Sequence, residues 1–314
     1  MFLFEKLKSY KSYLKKYPLH KLIDVDLKSY GPIHKKIKRS PYYSVNPNLR
    51  EPYSAELDDL IRLHHLVISR KVTTILEFGV GKSSIILDDA LKINKKRHGH
   101  FIKKNLRRTN PFQCFSVDNN KKWISVCKNR SKTDLVRYHY SRCSISTFND
   151  RIGTYYDNLP NICPDLIYLD GPDQFSPIGH IRGINTRNAD RLPMSADILT
   201  IEHFLLPGTL IVVDGRTANA RFLKTNLQRD WSYYYSKEYD QHFFELLEKP
   251  LGIYNKNQID YCLGKEFYLR IKKYNLKYIE KVQLFFVKFI PPILLPLFKF
   301  IKNKILIYLF QKKP

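Results

Sequence analysis

The stretch TTILEFGVGKSS, residues 73–84, decides the fold. Its apolar run ending at Glu77 and Phe78 reads as a short buried strand, Gly79 and Gly81 as a tight turn, and Ser83 or Ser84 as the start of a helix. Glycine suits such a turn because it lets the chain reverse closely and lets helix N-terminal amides face a bulky ligand. The preceding residues, AELDDLIRLHHLVISR at 55–70, predict a helix with Leu57, Leu60, Ile61, Leu63 and Leu66 facing inward.

Downstream, the same strand-then-turn pattern repeats. FQCFSVDNN (112–120) reads as a second strand ending at Asp118, followed by a helix through residues 121–127. DLVRYHY (134–140) predicts a third strand, and residues 144–160 are expected to be helix or turn. PDLIYLDGPD (164–173) holds the clearest buried strand, 166–169, stopped by Asp170-Gly171-Pro172, and PGTLIVVDGR (207–216) holds another, ending at Asp214. Residues 243–270 are expected to supply the closing strands and their connection. The expected fold is therefore α/β, a doubly wound and mostly parallel sheet with helices on both faces. In such sheets ligands bind at the carboxyl ends of the strands, which groups Glu77, Asp118, Asp170 and Asp214 into one candidate pocket. A carboxylate at the second strand end, here Asp118, accepts hydrogen bonds from both hydroxyls of a ribose.

The 314 residues carry 54 Lys+Arg against 29 Asp+Glu, a net charge of +25, and the excess is localised. Residues 1–50 hold 12 basic and 3 acidic side chains, residues 265–314 hold 12 and 2, and residues 91–112 hold 8 and none. This divides the chain by composition into a basic N-terminal extension (1–50), a near-neutral domain of catalytic size (51–264) and an apolar, basic tail (265–314). HGHFIKKNLRRTNP, 98–111, is expected to be a surface excursion. Five scattered cysteines with no CxxC predict reduced thiols and a cytoplasmic address, and exclude a disulfide framework or a structural zinc site.

These elements together resemble the class I S-adenosylmethionine-dependent methyltransferase family, with the O-methyltransferase branch as one possibility. Glu77-Phe78-Gly79-Val80-Gly81 is similar to its first motif, Asp118 to its second strand end, Asp170-Gly171-Pro172-Asp173 to its post-strand-four motif, and Leu206-Pro207-Gly208 to its entry into strand five. The resemblance spans roughly residues 50–260 and departs at the long interval before Asp118 and at the single glycine of 206–208. It implies S-adenosylmethionine as cofactor, held by Glu77, Gly79, Gly81, Asp118 and Asp170, with Ser144–Ser146 approaching the adenine.

On the acceptor side, His180 is a candidate base alongside Asp170 and Asp214, while Asp173, Arg182, Arg187 and Arg216 are candidate substrate contacts. Each also has a plainer reading, for His180 an ordinary loop histidine and for Asp214 an anchor for a loop. Similarity to metal-assisted O-methyltransferases implies that Asp170 and Asp214 could share a divalent cation, with Asp173, Asn219 or water completing it. The expected acceptor is a hydroxyl of a small molecule or saccharide. Alternatives are a nucleic-acid methyltransferase using the basic residues 103–108, a nucleotide-binding protein reading GVGKSS as a phosphate loop, and a non-catalytic binding protein on the same fold. The phosphate-loop reading lacks the first glycine of G-x-x-x-x-G-K-[ST], since Leu76 stands there.

The termini carry a different signal. Phe4, Leu7, Tyr10 and Leu14 recur at helical spacing among lysines, giving a short amphipathic helix that either packs on the domain or meets a membrane. No signal-peptide core is evident there. Residues 282–298 are apolar but short and proline-interrupted for a membrane span, so residues 282–314 read as a segment for an anionic membrane interface or for protein packing.

Overall fold

The computed structural model describes residues 10–25, 56–130, 134–188, 190–191, 194–237 and 240–287, with side chains as far as residue 276. The chain forms two compact units, Met1–Phe267 and Tyr268–Pro314. In the second, the described residues continue a helix, α9 (Lys265–Val287). Residues 288–314, and with them most of the expected membrane-interface segment, lie outside the described residues, as do residues 26–50.

The first unit is built on a seven-stranded sheet. Its strands are β1 (Thr74–Phe78), β2 (Gln113–Asp118), β3 (Val136–Tyr140), β6 (Leu166–Leu169), β7 (Leu210–Asp214), β8 (Trp231–Ser236) and β9 (Gln241–Leu246). Their order is β3-β2-β1-β6-β7-β9-β8, parallel from β3 to β7 and antiparallel for β9 and β8. From β1 the chain builds outward to β2 and β3, then returns to lay β6 on the other side of β1. The topological switch point therefore lies between β1 and β6, where an open parallel sheet leaves a crevice at its carboxyl edge.

Helices cover both faces because the central strands are apolar on both sides. On one face α3 (Leu57–Ser69) and α4 (Lys82–Asn105) contribute Leu63, Leu66, Leu87 and Leu91 to a core with Ile75, Tyr168 and Val212. On the other, α6 (Asp197–Ile201) and α7 (Thr217–Asn226) contribute Ile198, Leu199, Ala220 and Leu223 to a core with Leu76, Phe78 and Ile211. Each fully buried aliphatic side chain of this kind is worth about 2 kcal/mol. The short N-terminal helices α1 (Tyr10–Lys16) and α2 (Leu19–Leu22) dock on the domain, with Leu14, Leu19 and Ile23 packed against Leu57, Ile61 and Ile86. Tyr13 Oη lies 2.6 Å from Nδ1 of buried His64.

Three expectations are corrected. Much of residues 98–111 is not an excursion: α4 runs for 24 residues to Asn105. Its inner stripe of Leu87, Ala90, Leu91, Asn94 and Ile102 stays buried at helical spacing, and Asn94 donates to the carbonyls of Val67 and Val72. Of the cations that suggested a loop, Lys103 and Lys104 lie on the outer side of that helix, while Arg107 and Arg108 follow its end. Residues 143–156 form a hairpin, β4 (Cys143–Phe148) and β5 (Arg151–Tyr156), instead of helix or turn. Its two-residue turn, Asn149-Asp150, has φ of 47° and 61°, a left-handed conformation these short polar side chains tolerate. The closing strands lie earlier than the expected 243–270, at 231–236 and 241–246, and after them the chain forms α8 (Gly252–Cys262).

Candidate active site

The carboxyl edge at the switch point brings together four segments. From β1 comes the turn Gly79-Val80-Gly81, where Gly79 has a φ of +93° that disfavours any residue with a β-carbon. From β6 comes Asp170-Gly171-Pro172, so close that a β-carbon on Gly79 would stand 2.9 Å from the carbonyl carbon of Asp170. From β2 comes Asp118, and from β7 come Asp214 and Arg216.

Asp118 ties the first turn to the second strand. Its carboxylate accepts the amide of Val80 at 2.9 Å and that of Asn120 at 2.7 Å, leaving lone pairs for a further partner. Burial raises its pKa, opposed by those amides. Trp123 on α5 (Lys121–Arg130) donates its indole N–H to the carbonyl of Val80, closing the turn from the outside. Gly81 is the opening in this wall. Its backbone is extended, and a β-carbon there would meet nothing nearer than Ser83 Oγ at 3.7 Å. Neither its φ nor its packing demands glycine, whereas close approach of a ligand would.

Glu77 is placed elsewhere. It is 0% exposed, on the sheet face covered by α4, and accepts hydrogen bonds from Ser83 and Ser84, each at 2.6 Å, and from Ser116. Burial pushes its carboxyl up to about 7 despite these three donors. The side chain fastens the helix start to the sheet and has no surface from which to touch a cofactor, which corrects its assignment as a direct cofactor ligand.

Asp170 keeps 53% of its side chain exposed at the strand end, with Arg216 Nε 3.6 Å from its Oδ1. The crowd of neighbouring protein raises its pKa, Arg216 opposes the rise, and Asp214 and Glu77 add to it. Arg216 also donates to the carbonyl of Pro172 at 2.6 Å, while its Nη1 is buried without a partner. Asp214 turns the other way: Tyr168 Oη donates to it at 2.8 Å and Gln241 Nε2 at 2.9 Å. Each of its oxygens accepts one of these bonds, and among the described residues the acid is not part of any group of three close metal-ligating side chains. Asn219, a suggested additional ligand, is fully buried and bonded to both backbone groups of Ser195. With Asn219 tied to Ser195 and the guanidinium of Arg216 beside Asp170, two carboxylates make a poor fit to a shared cation.

The segment after β6 folds as a flap stitched to the β4–β5 hairpin. Ile145 donates to the carbonyl of Ile178, Ile178 to that of Cys143, Thr154 to that of Met194 and Ala196 to that of Thr154. Asp173 is exposed near the Asp118 loop and caps its own turn by accepting the amide of Phe175 and the hydroxyl of Ser176, which also reaches Asn119. His180 is exposed at the flap tip, and its Nδ1 accepts the amide of Gly183 in a turn where Ile181 and Ile184 pair. Arg182 shares that tip with a φ of +53°, and Arg187 donates to the carbonyl of Phe175. None of the described contacts links His180 to Asp170 or Asp118, so its candidacy as base loses its geometric support. Ser144 donates to Asp157 on the hairpin, and Ser146 is exposed there.

Sequence reasoning missed Tyr156. It is the last residue of β5, 5% exposed, with its ring stacked on Phe78 at a centroid distance of 5.7 Å. Its hydroxyl is buried without a hydrogen-bond partner, and the charges of Asp118 and Arg216 both act on it. A tyrosine in an alternating strand gives no local sign of this, because its neighbours come from four other segments.

No protein-family model matches the chain, and no curated protein matches it. Among solved structures, it is similar to the O-methyltransferase TomG from Streptomyces achromogenes, involved in tomaymycin synthesis and solved with SAM, at 14% identity over 76% of this chain and 90% of that one, TM-score 0.32. It is also similar to an O-methyltransferase from Bacillus cereus in complex with SAH, at 13% identity over 72% and 98%, TM-score 0.35.

Proposed function

We propose that the protein is an S-adenosylmethionine-dependent methyltransferase acting on a hydroxyl of a small molecule or glycan. The observation that carries this reading is the coupling of Asp118 to the Gly79-Val80-Gly81 turn, with open space at Gly81, at the carboxyl edge beside the switch point. Asp118 would hold the ribose hydroxyls, the turn would run beside the methionine portion, and Tyr156 and Arg216 would border the acceptor. S-adenosylmethionine supplies an electrophilic methyl on a sulfonium, so the chain must mainly align an acceptor and take its proton.

Asp170 suits the second task. It is open to solvent at the site, where its ionised carboxylate can take the proton of an acceptor hydroxyl. The nucleic-acid alternative is less favoured because the basic end of α4 lies at the amino edge of the sheet: Arg108, just beyond it, bonds Thr73 and Thr74 at the start of β1.

Calorimetric titration with S-adenosylhomocysteine tests the reading, with ATP as the competing ligand. Saturable binding that Asp118→Ala weakens at least about tenfold in a protein that still melts cooperatively supports it. Binding to ATP alone refutes it.

A further inference from the structure

At the amino edge of the sheet, opposite the candidate active site, the domain exposes apolar and cationic side chains together. Among the described residues of the first unit, its four most exposed large apolar side chains are Phe204 (80%), Ile253 (60%), Tyr254 (57%) and Leu251 (55%). They come from two segments that meet at one place. Arg108 donates to the carbonyl of Cys163 at 2.8 Å, and Cys163 Sγ lies 3.8 Å from the carbonyl oxygen of Phe204. Arg107 stands 4.9 Å from the ring centroid of Tyr254, and Arg108 Nη1 reaches Gln258 of the same helix, α8. Phe101, also exposed at 41%, stacks on Tyr261 of α8 at 4.0 Å.

Beside this apolar group runs the outer side of α4. Lys96, His100 and Lys103 recur at helical spacing, with Lys95 and Lys104 flanking them and Arg107 just beyond the helix end, all exposed. Residues 91–112 contain no carboxylate, so this stripe has no acid of its own helix half to neutralise it. The buried half of the neighbourhood is saturated: Asp165 accepts from Arg108, Thr73 and Gln258, and the small cavity lined by Arg70, Gly208 and Cys262 adjoins that network. What faces outward is positive charge fringed by aliphatic and aromatic side chains.

We propose that this face, formed by the carboxyl-terminal half of α4, the start of α8 and Phe204, docks on an anionic lipid bilayer. Charge complementarity selects an anionic partner, and Leu251, Ile253 and Phe204 select one with an apolar interior. A base could stack on Phe204, but the Tyr254 ring is covered by Arg107 and Phe101 is stacked on Tyr261, and Leu251 and Ile253 offer a nucleic acid nothing. Since α4 is about 36 Å long and begins at Gly81 beside the candidate active site, docking by its far end leaves the strand-end crevice open away from the membrane. This inference is independent of the proposed reaction.

The test is sedimentation of the full chain with vesicles of phosphatidylcholine alone or mixed with phosphatidylglycerol, with duplex DNA examined in parallel. The wild type is expected to sediment only with the mixed vesicles. Lys96→Gln/Lys103→Gln/Lys104→Gln should weaken that partition by on the order of a hundredfold, and Ile253→Ser/Tyr254→Ser by about tenfold. Both sets lie on the surface, and unchanged thermal melts check that they fold. Failure of the wild type to bind mixed vesicles, wild-type partition by either variant, or binding to DNA without binding to vesicles would overturn the proposal.

Discussion

A β-carbon on Gly171 would stand 2.5 Å from the amide nitrogen of Gly79. The exits of β1 and β6 therefore run backbone against backbone, and that contact sets the floor of the crevice between Asp118 and Asp170. Gly79 itself needs its positive φ, whereas Gly171 is required by proximity.

Gly171→Ala is accordingly expected to cost about 1–3 kcal/mol of stability, because no flexible side chain can yield to the added methyl. Gly81→Ala meets open space and should melt as the wild type does, yet lose at least about tenfold in S-adenosylhomocysteine affinity through blocked approach. Denaturant melts and calorimetry separate the two. Unaltered ligand affinity in Gly81→Ala would show that the turn faces no ligand.

Tyr156→Phe removes a buried hydroxyl that has no partner in the protein. Such a group costs about 1–3 kcal/mol to bury unpaired, so its loss should leave the melting temperature unchanged or raise it. If the hydroxyl serves the site, affinity for S-adenosylhomocysteine or for the acceptor falls by about tenfold in the same variant. Stability gained with both affinities intact would assign Tyr156 to packing alone.

Glu77 makes folding stability depend on pH. Its carboxyl ordinarily titrates at 4.5 and is raised to about 7 in the fold, so the native state holds a proton that the unfolded chain releases. This contribution is fully present below pH 4.5 and is lost as pH rises through about 7. Asp197, raised to about 7 by burial despite the bonds it accepts from the amide of Tyr156 and the hydroxyl of Ser195, acts in the same direction. In Glu77→Gln the fall in stability between about pH 5 and pH 8 should be shallower than in the wild type, by on the order of a few kcal/mol. Identical pH profiles would mean that Glu77 is ionised throughout.

Chelation tests the cation reading. Since Arg216 faces Asp170 and no third ligating side chain joins Asp170 and Asp214 among the described residues, EDTA should leave S-adenosylhomocysteine binding and any methyl transfer unchanged. Activity lost to EDTA and restored by Mg²⁺ would overturn that reading of the two carboxylates.

The sequence by itself determined the five parallel strands of the sheet. Strands 166–169 and 210–213 are legible because a strand buried on both faces must be apolar throughout, and Gly79 and Asp118 because a strand end followed by a turn announces itself locally. Local patterns also explain the errors. The cations of 98–111 mimic a loop, while the inner stripe that keeps Lys103 and Lys104 helical depends on the carbonyls of Val67 and Val72. Tertiary structure alone decided the roles within the site. Asp170 and Asp214 end adjacent strands with the same apolar approach, yet one opens to the crevice and the other is closed by Tyr168, 46 positions away. Tyr156 reaches the site because its ring lies on Phe78, and His180 stays at the flap tip because its own turn holds it. Periodicity records which face a residue takes. Which donor or ring it meets there depends on segments remote in the chain, and no local pattern encodes that meeting.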